Sequence, residues 1–428
     1  MNVLGFDIND AHETILELQS FSTGKLLSWQ NEKRWSIANF HFLKNINYKK
    51  KVGNHFPKNW NELPIMEKSD YQNNFNDALS FGYTKKNTFI ASTSGSSGHP
   101  FYYAKNKEAH AFTWALAKNR YNWYDINLDS RQARFYGIPL NNRSRYFEKI
   151  KDLVLNRIRF NVFDLSDDSF REYLKIFKKN KFKYLYGYAN SLVLFARFLI
   201  NKNIVLKDYC PSLVSCISTS EMLTIQDRKL LEKGFGIIII NEYGISEAGG
   251  ITAFQNKTMD WCLSFESQYI EIVDQNNTNV PEGVDGDILI TDLHNKAMPF
   301  IRYRVGDIGR LIKKGNKIYL DQLIGRTNDN IILPNGKVSP GLTFYYIARS
   351  TLEKTEILKE FIIRQISIDT FIFDVVCERD LNQLEIKNIK KDMDTYLVPN
   401  LNLRINRVNK IRRPNSGKIK HFYSQVDE

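Results

Sequence analysis

The chain has 428 residues, of which 43% are hydrophobic and 25% charged, which excludes a disordered or membrane-embedded protein and gives length enough for two or three domains. Sixty Lys and Arg stand against 47 Asp and Glu, and the resulting net charge of +13 points to anionic partners such as nucleotides, a phosphorylated substrate, nucleic acid or a membrane surface, or simply to a Lys-rich proteome. Nucleic acid is set aside because long Lys/Arg runs are absent.

The first residues, MNVLGFDIND, carry an acidic pair and no basic leader region, so a cytoplasmic location is expected. No run of 18 uncharged apolar residues occurs, so no transmembrane helix is expected, while peripheral contact with a membrane fits the charge. Cys210, Cys216, Cys262 and Cys377 form no CxxC pair and read as free, buried thiols. The histidines lack metal-ligand spacing, which argues against catalysis through a His-bound metal.

In chain order, residues 1–58 read as helices and connectors. Ser69 is placed to cap a helix starting near Asp70. Residues 88–91 read as a short buried strand and 101–104 as its return. Between them lie Ser92, Thr93, Ser94, Gly95, Ser96, Ser97, Gly98, His99 and Pro100. Backbone N–H groups freed by glycine, with hydroxyls beside them, can cradle phosphate. The loop is not a Walker A motif, since no Lys-Ser/Thr follows its second glycine, and it leads into a strand, unlike the dinucleotide fingerprint. A flexible Gly/Ser hairpin loop is the alternative.

A helix is expected over 108–124, a strand over 133–138 and a helix capped by Ser166 or Asp167 running to 179. Strand 182–186, helix 190–199, strand 213–218, a helix capped by Thr224 and ended by Gly234, and an apolar β-branched strand at 236–240 follow. This alternation implies parallel strands in an α/β domain, with ligands bound beyond their carboxyl ends. There stands Asn241-Glu242-Tyr243-Gly244-Ile245-Ser246-Glu247. Strands return at 265–273 and 287–291, then MPFIRYRVGD, then the turn-rich GRTND at 325–329 as a domain boundary. The remainder reads as strands 361–368 and 370–377, helix 382–397, strand 401–408 and a tail containing SGKIK.

STSGSSGHP, NEYGISE, FIRYRVGD, GRTND and SGKIK occur in one order between Ser92 and Lys420. In this the chain resembles the adenylate-forming superfamily of acyl-CoA synthetases and adenylation domains. LPIMEKSDYQNNF and MPFIRYRVGD resemble its phenylacetate–CoA ligase-like branch, which includes CapK-type proteins of capsular polysaccharide clusters and adenylyltransferases acting on a deazaflavin cofactor.

The resemblance implies a large N-terminal α/β domain (1–326) and a small, mobile C-terminal α+β domain (327–428). It implies activation of a carboxylic acid by ATP with Mg²⁺ as acyl-AMP, then acyl transfer. The serine/glycine loop, Ser92 to Gly98, would hold the β- and γ-phosphates. Tyr243 would stack on adenine, with Asn241, Gly244, Ser246, Ser220 and Glu221 around the nucleotide. Glu247 would bind Mg²⁺; an acid favoured by a helix N-terminus is the alternative reading. Asp307 would accept from the ribose hydroxyls and Arg326 would contact the nucleotide; a surface Arg–Asp pair is the alternative. Lys418, preceded by Ser416-Gly417, matches the catalytic lysine. The pivot falls on Asn328 where the family usually has Asp, unless Asp329 takes over. Tyr136, Gly137, Tyr186, Tyr188, Ser220 and Glu221 are candidates for the acid pocket, with core packing the alternative for the tyrosines. Coenzyme A is the first candidate acceptor, although no 3′-phosphoadenosine signature is present. A sugar amine or hydroxyl is the second, and a nucleotide-binding pseudoenzyme stands as the non-catalytic alternative. Neither the acid nor the oligomeric state is encoded legibly.

Overall fold

A computed structural model describes residues 7–71, 74–93, 101–137, 142–162, 164–221, 223, 225–324, 330–340, 343–344, 347, 358–377, 379–409 and 422–426. The chain divides into two compact units, 1–93 with 101–127 and 242–325, and 94–100 with 128–241 and 326–428.

The first unit opens with three helices, Ile8–Ser20, Thr23–Lys44 and Ile46–Val52, capped by the side chains of Asp7, Ser22 and Asn45. Expected as a capping site, Ser69 instead lies inside a 3₁₀ turn, Lys68–Tyr71, and Asn74 caps the short helix Phe75–Ala78 that follows. The hairpin Phe89–Thr93 with Phe101–Lys105 forms a two-stranded sheet paired from Phe89↔Lys105 to Thr93↔Phe101. Only its second strand is buried: Phe101, Tyr103, Ala104 and Lys105 face inward, whereas Phe89 is exposed. The expected burial of the first strand fails because a two-stranded ribbon at the surface covers only one member.

After the helix Lys107–Asn122, the unit is completed by antiparallel strands in the spatial order Gln268–Val273, Gly286–Asp292, Tyr303–Lys314, Lys317–Ile324, Trp261–Leu263 and Gly250–Gln255. Its core gathers Met66, Ile270, Ile288, Ile290, Met298, Phe300 and Tyr303.

The second unit carries the expected parallel strands in the order Arg157–Asn161, Gln132–Tyr136, Tyr184–Tyr188 and Ser215–Thr219, and then the start of Ile238–Ile245. Helices Asp167–Lys179, Ala189–Asn201 and Ile225–Phe235 supply the apolar cover, with Phe170, Phe177, Phe195 and Phe235 buried against Phe135 and Phe160. Ser166 caps the first of these helices as expected, whereas the Thr224 cap lies outside the described residues. The third ends at Phe235, one residue beyond the expected Gly234, and Gly236 is the residue that adopts the left-handed φ of +67°.

Residues beyond 330 add a separate four-stranded sheet in the order Asn402–Arg407, Thr370–Cys377, Leu358–Ser367 and Phe422–Ser424, backed by helix Gln383–Tyr396 with a complete capping box from Asn382 and Glu385. All four cysteines are free, and three are buried.

The last strand of the parallel series is longer than its apolar run suggests. It continues through Asn241 to Ile245 because Glu242–Ile245 pairs antiparallel with Gly250–Gln255. The NEYGISE motif is therefore mostly strand, and only Ser246 onward forms the turn.

Candidate active site

Glu247 sits on the tight turn 246–249 between strands Ile238–Ile245 and Gly250–Gln255, not at a helix N-terminus. The helix-dipole alternative is thereby removed. The turn is held from below. Gln268 donates through Nε2 to the carbonyl of Ala248 at 2.6 Å, and Gly249 turns over the same side chain with φ +94°. A Cβ at Gly249 would stand 2.5 Å from Gln268 Nε2, so glycine is required there. The carboxylate is half-buried and accepts a hydrogen bond from Tyr303 Oη at 3.2 Å on Oε1. Tyr103, on the inner strand of the hairpin, is buried. Burial, and secondarily the Glu247 charge, push the Tyr103 phenol well above its ordinary range, so it stays a neutral donor.

Four residues before Glu247, Tyr243 is half-buried and donates from its hydroxyl to Asp307 Oδ2 at 2.9 Å. The expected adenine and ribose residues are thus brought together on neighbouring parts of one unit. The hydrogen bond fixes the edge of the Tyr243 ring. Ser92 is half-buried opposite Tyr102, and Thr93 pairs with Phe101, at the end of the strand that leads into the loop. Ser94, Gly95, Ser96, Ser97, Gly98, Arg326, Asn328 and Lys418 lie outside the described residues.

Sequence reasoning missed Lys105. It closes the inner strand of the hairpin, is 2% exposed, and donates from Nζ to Thr113 Oγ1 at 2.9 Å. Burial lowers its pKa to about 8, against the pull of the Asp292 and Glu247 carboxylates. Asp292 is itself buried. It accepts from the backbone N–H groups of His294 and Asn295 at 3.0 and 3.1 Å through Oδ1, whereas its Oδ2 has no hydrogen-bond partner among the described residues. A lysine at the end of an apolar strand, FYYAK, was the available signal; solvated strand-end lysines look the same in sequence. Tyr303 was quoted within FIRYRVGD, but its contact with Glu247 spans 56 residues and has no local signature.

In the second unit, Tyr136 lies against Tyr186 (ring centroids 5.7 Å) and Tyr188 (4.2 Å), and its hydroxyl is 3.4 Å from Ser220 Oγ. Arg134 lies over the rings of Tyr136 and Tyr186 at 4.1 and 4.9 Å. Four candidate pocket residues therefore converge at the carboxyl ends of parallel strands. Tyr188 is core, as the packing alternative holds, whereas Tyr136 and Tyr186 are half-buried. Ser220 is exposed and held at φ +69°, Glu221 is half-buried, and Gly137 and Asn241 are buried.

Comparison with known proteins bears on this arrangement. No family model matches the sequence. Protein CapK of Staphylococcus aureus is 24% identical over 391 residues, covering 86% of this chain and 81% of that protein. Phenylacetate-coenzyme A ligase of Escherichia coli (strain K12) is 33% identical over a shorter stretch of 119 residues, 26% of this chain and 27% of the ligase. Among solved structures, 2-hydroxyisobutyryl-CoA ligase in complex with 2-HIB-AMP and CoA, in the thioesterification state, superposes with a TM-score of 0.61 at 14% identity, covering 95% of this chain and 90% of that one. These similarities agree with the adenylate-forming superfamily. The curated relatives it is similar to are CapK and phenylacetate–CoA ligases, and the fold is the mixed α/β fold of adenylate-forming ligases. The turn carrying Glu247, the Tyr243–Asp307 pair and the hairpin that ends at Lys105 all lie in the first unit.

Proposed function

We propose that the protein is an ATP-dependent adenylate-forming ligase that activates a carboxylic acid as acyl-AMP and passes the acyl group to a nucleophile. A carboxylate oxygen of the acid attacks the α-phosphorus of ATP, the bond from that phosphorus to its bridging oxygen breaks, and pyrophosphate leaves. The acceptor then attacks the acyl carbon and AMP departs with the bonding electrons. Such chemistry rests on positioning and charge neutralisation rather than on a protein nucleophile.

The observation that carries this reading is the half-buried carboxylate of Glu247. It is fixed on its turn by Tyr303 and Gln268. One carboxylate suits Mg²⁺, which keeps several waters and takes its other ligands from substrate phosphates. Among the described residues no cluster of three His, Cys, Asp or Glu offers an all-protein cage. Glu247 would hold Mg²⁺, whose charge offsets that of the triphosphate when bound. Ser92 to Gly98 would seat the departing phosphates, Tyr243 would face adenine, and Asp307 would accept from the ribose. Arg326 would add a nucleotide contact, and Lys418 would stabilise negative charge on the α-phosphate and the attacking oxygen. Lys105 would act from beneath, as a fixed buried cation facing Glu247 and Asp292. Tyr136, Tyr186 and Ser220 would line the acid side of the pocket. The domain division at 326/327, with Asn328 as pivot, belongs to this reading.

Coenzyme A is the acceptor that the phenylacetate–CoA ligase and 2-hydroxyisobutyryl-CoA ligase relatives favour. A sugar amine or hydroxyl, as in decoration of a capsular polysaccharide or O-antigen, is the second reading, because the similarity that spans most of the chain is to CapK. Incubation of the acyl-AMP-forming reaction with coenzyme A or with amino and hydroxyl sugars, followed by mass analysis of the products, separates them. An acyl-CoA product supports the first reading, and an acylated sugar with no thioester supports the second.

A further inference from the structure

The helix Asn142–Val154 is built inside out. From Tyr146 to Val154 every position is exposed except Glu148 and Asp152, which are half-buried. Glu148 meets Arg159 at 2.7 Å and Arg157 at 3.6 Å, and Asp152 pairs with Arg159 at 3.0 Å and with Arg157. These arginines stand on Arg157–Asn161, the outermost strand of the parallel series. The helix is thus held to the protein by its acids.

Its large apolar residues point the other way. Tyr146 is 65% exposed, Phe147 51%, Ile150 41%, Leu153 82% and Val154 74%. At about 100° per residue these five share one arc of roughly 120°. Lys149 borders the arc on one side and Lys151 on the other; Lys151 also touches Glu148 at 2.8 Å, with its side chain 62% exposed. A surface helix of a globular protein normally buries its apolar arc and exposes its charges. A helix with an apolar arc flanked by lysines is instead suited to lie in the plane of a bilayer. The rings and aliphatic groups then sit at the acyl boundary, and the lysine stems reach up to the headgroups.

We infer that this helix is a membrane-docking element that seats on a bilayer surface rich in anionic lipid. Charge selects the occupant. Both acids of the segment are neutralised inward by Arg157 and Arg159, so the lysines at the margins act with a chain of net charge +13 behind them. The mode is contact with one leaflet, since no described helix is long and apolar enough to cross a membrane. The inference does not depend on the proposed ligase activity.

Co-sedimentation of the full-length protein with phosphatidylcholine vesicles, with and without phosphatidylglycerol, tests it. The protein is expected to pellet with the mixed vesicles and to stay in solution with phosphatidylcholine alone. Leu153→Gln with Val154→Gln should lower the partition coefficient for mixed vesicles by about tenfold or more. Lys149→Gln with Lys151→Gln should weaken it and reduce its salt dependence. Both pairs lie on the exposed face, so an unchanged thermal midpoint shows that the fold is kept. Equal binding by the Leu153/Val154 variant, or no binding by the wild type to either vesicle, would overturn the inference. So would a wild-type dimer in light scattering that the same variant makes monomeric, because the face would then be an interface between copies of the chain.

Discussion

Glu247, Tyr303 and Lys105 define what single side chains contribute to the site. The Tyr303 hydroxyl orients the carboxylate of Glu247. Loss of such an outer partner typically costs about 10- to 100-fold in metal affinity. Tyr303→Phe is therefore expected to raise the Mg²⁺ concentration for half-maximal pyrophosphate release by about tenfold, with kcat largely restored at saturating Mg²⁺. Glu247→Gln should lower kcat on the order of a hundredfold or more even at saturating Mg²⁺. Lys105→Met is expected to move stability and activity in opposite directions. Replacing a buried cation by an apolar chain of similar length removes a desolvation cost, a gain of about 1–2 kcal/mol in urea unfolding, while turnover falls because the charge facing Glu247 is gone. A variant both less stable and fully active would contradict the role given to Lys105. Tyr243, Glu247 and Asp307 could be singled out from the sequence because each stands within a short motif. Tyr303 as a partner of Glu247, and Lys105 beside Asp292, were not, because those contacts join positions far apart in the chain and depend on burial.

The elements around the site are pinned by buried polar groups. His41, on helix Thr23–Lys44, is fully buried, with Nε2 2.8 Å from the carbonyl of Asn295 and Nδ1 2.8 Å from Ser80 Oγ. The carbonyl can only accept, so Nε2 carries the proton and Nδ1 accepts from the serine. Burial lowers the His41 pKa to about 4 from an ordinary 6.5. Between those values the unfolded chain binds a proton that the folded chain refuses, so stability falls as pH drops from 6.5 towards 4, by up to about 3 kcal/mol. Urea midpoints at pH 7 and pH 5 should show the loss, and His41→Gln should flatten it; an unchanged slope in that variant would place the acid sensitivity elsewhere.

Arg302 performs a comparable task inside the FIRYRVGD motif. It donates to the carbonyls of Asn61 and Leu63 at 2.9 Å each and pairs with buried Glu271 at 3.3 Å, while Trp60 Nε1 donates to the other carboxylate oxygen at 2.9 Å. Arg302→Leu leaves Glu271 buried without its cation and should cost about 3–5 kcal/mol in urea unfolding. The element pattern was legible wherever apolar periodicity and caps are strong, as in Asp167–Lys179 behind Ser166 and Gln383–Tyr396 behind Asn382. It was illegible where pairing with distant strands decides. The extension of Ile238–Ile245 through polar Asn241 and Glu242 depends on the antiparallel partner Gly250–Gln255, and the helix Asn142–Val154 turns its acids Glu148 and Asp152, rather than the apolar side of residues 146–154, inward.

At the scale of the whole molecule, the parallel strands and their helices, the antiparallel strands that bear Glu247 and Asp307, and the separate sheet of the C-terminal residues fit an enzyme that activates an acid with ATP. The order of the five motifs made this architecture readable from the sequence, because they recur in one order along the chain. The acid and the acceptor were not readable, since the candidate pocket wall of Tyr136, Tyr186 and Ser220 is assembled from three strands and shaped by Arg134, which no motif announces. The measurement that tests the central claim most directly is pyrophosphate release from ATP and Mg²⁺ across a panel of aryl, fatty, amino and sugar-derived acids, with hydroxylamine as trap and no other acceptor. The account predicts that at least one acid gives pyrophosphate and the matching hydroxamate in equal amounts, and that Lys418→Ala abolishes both while ATP binding is kept. Pyrophosphate release by Lys418→Ala at the wild-type rate, or a wild-type protein that fails to bind ATP, would contradict it.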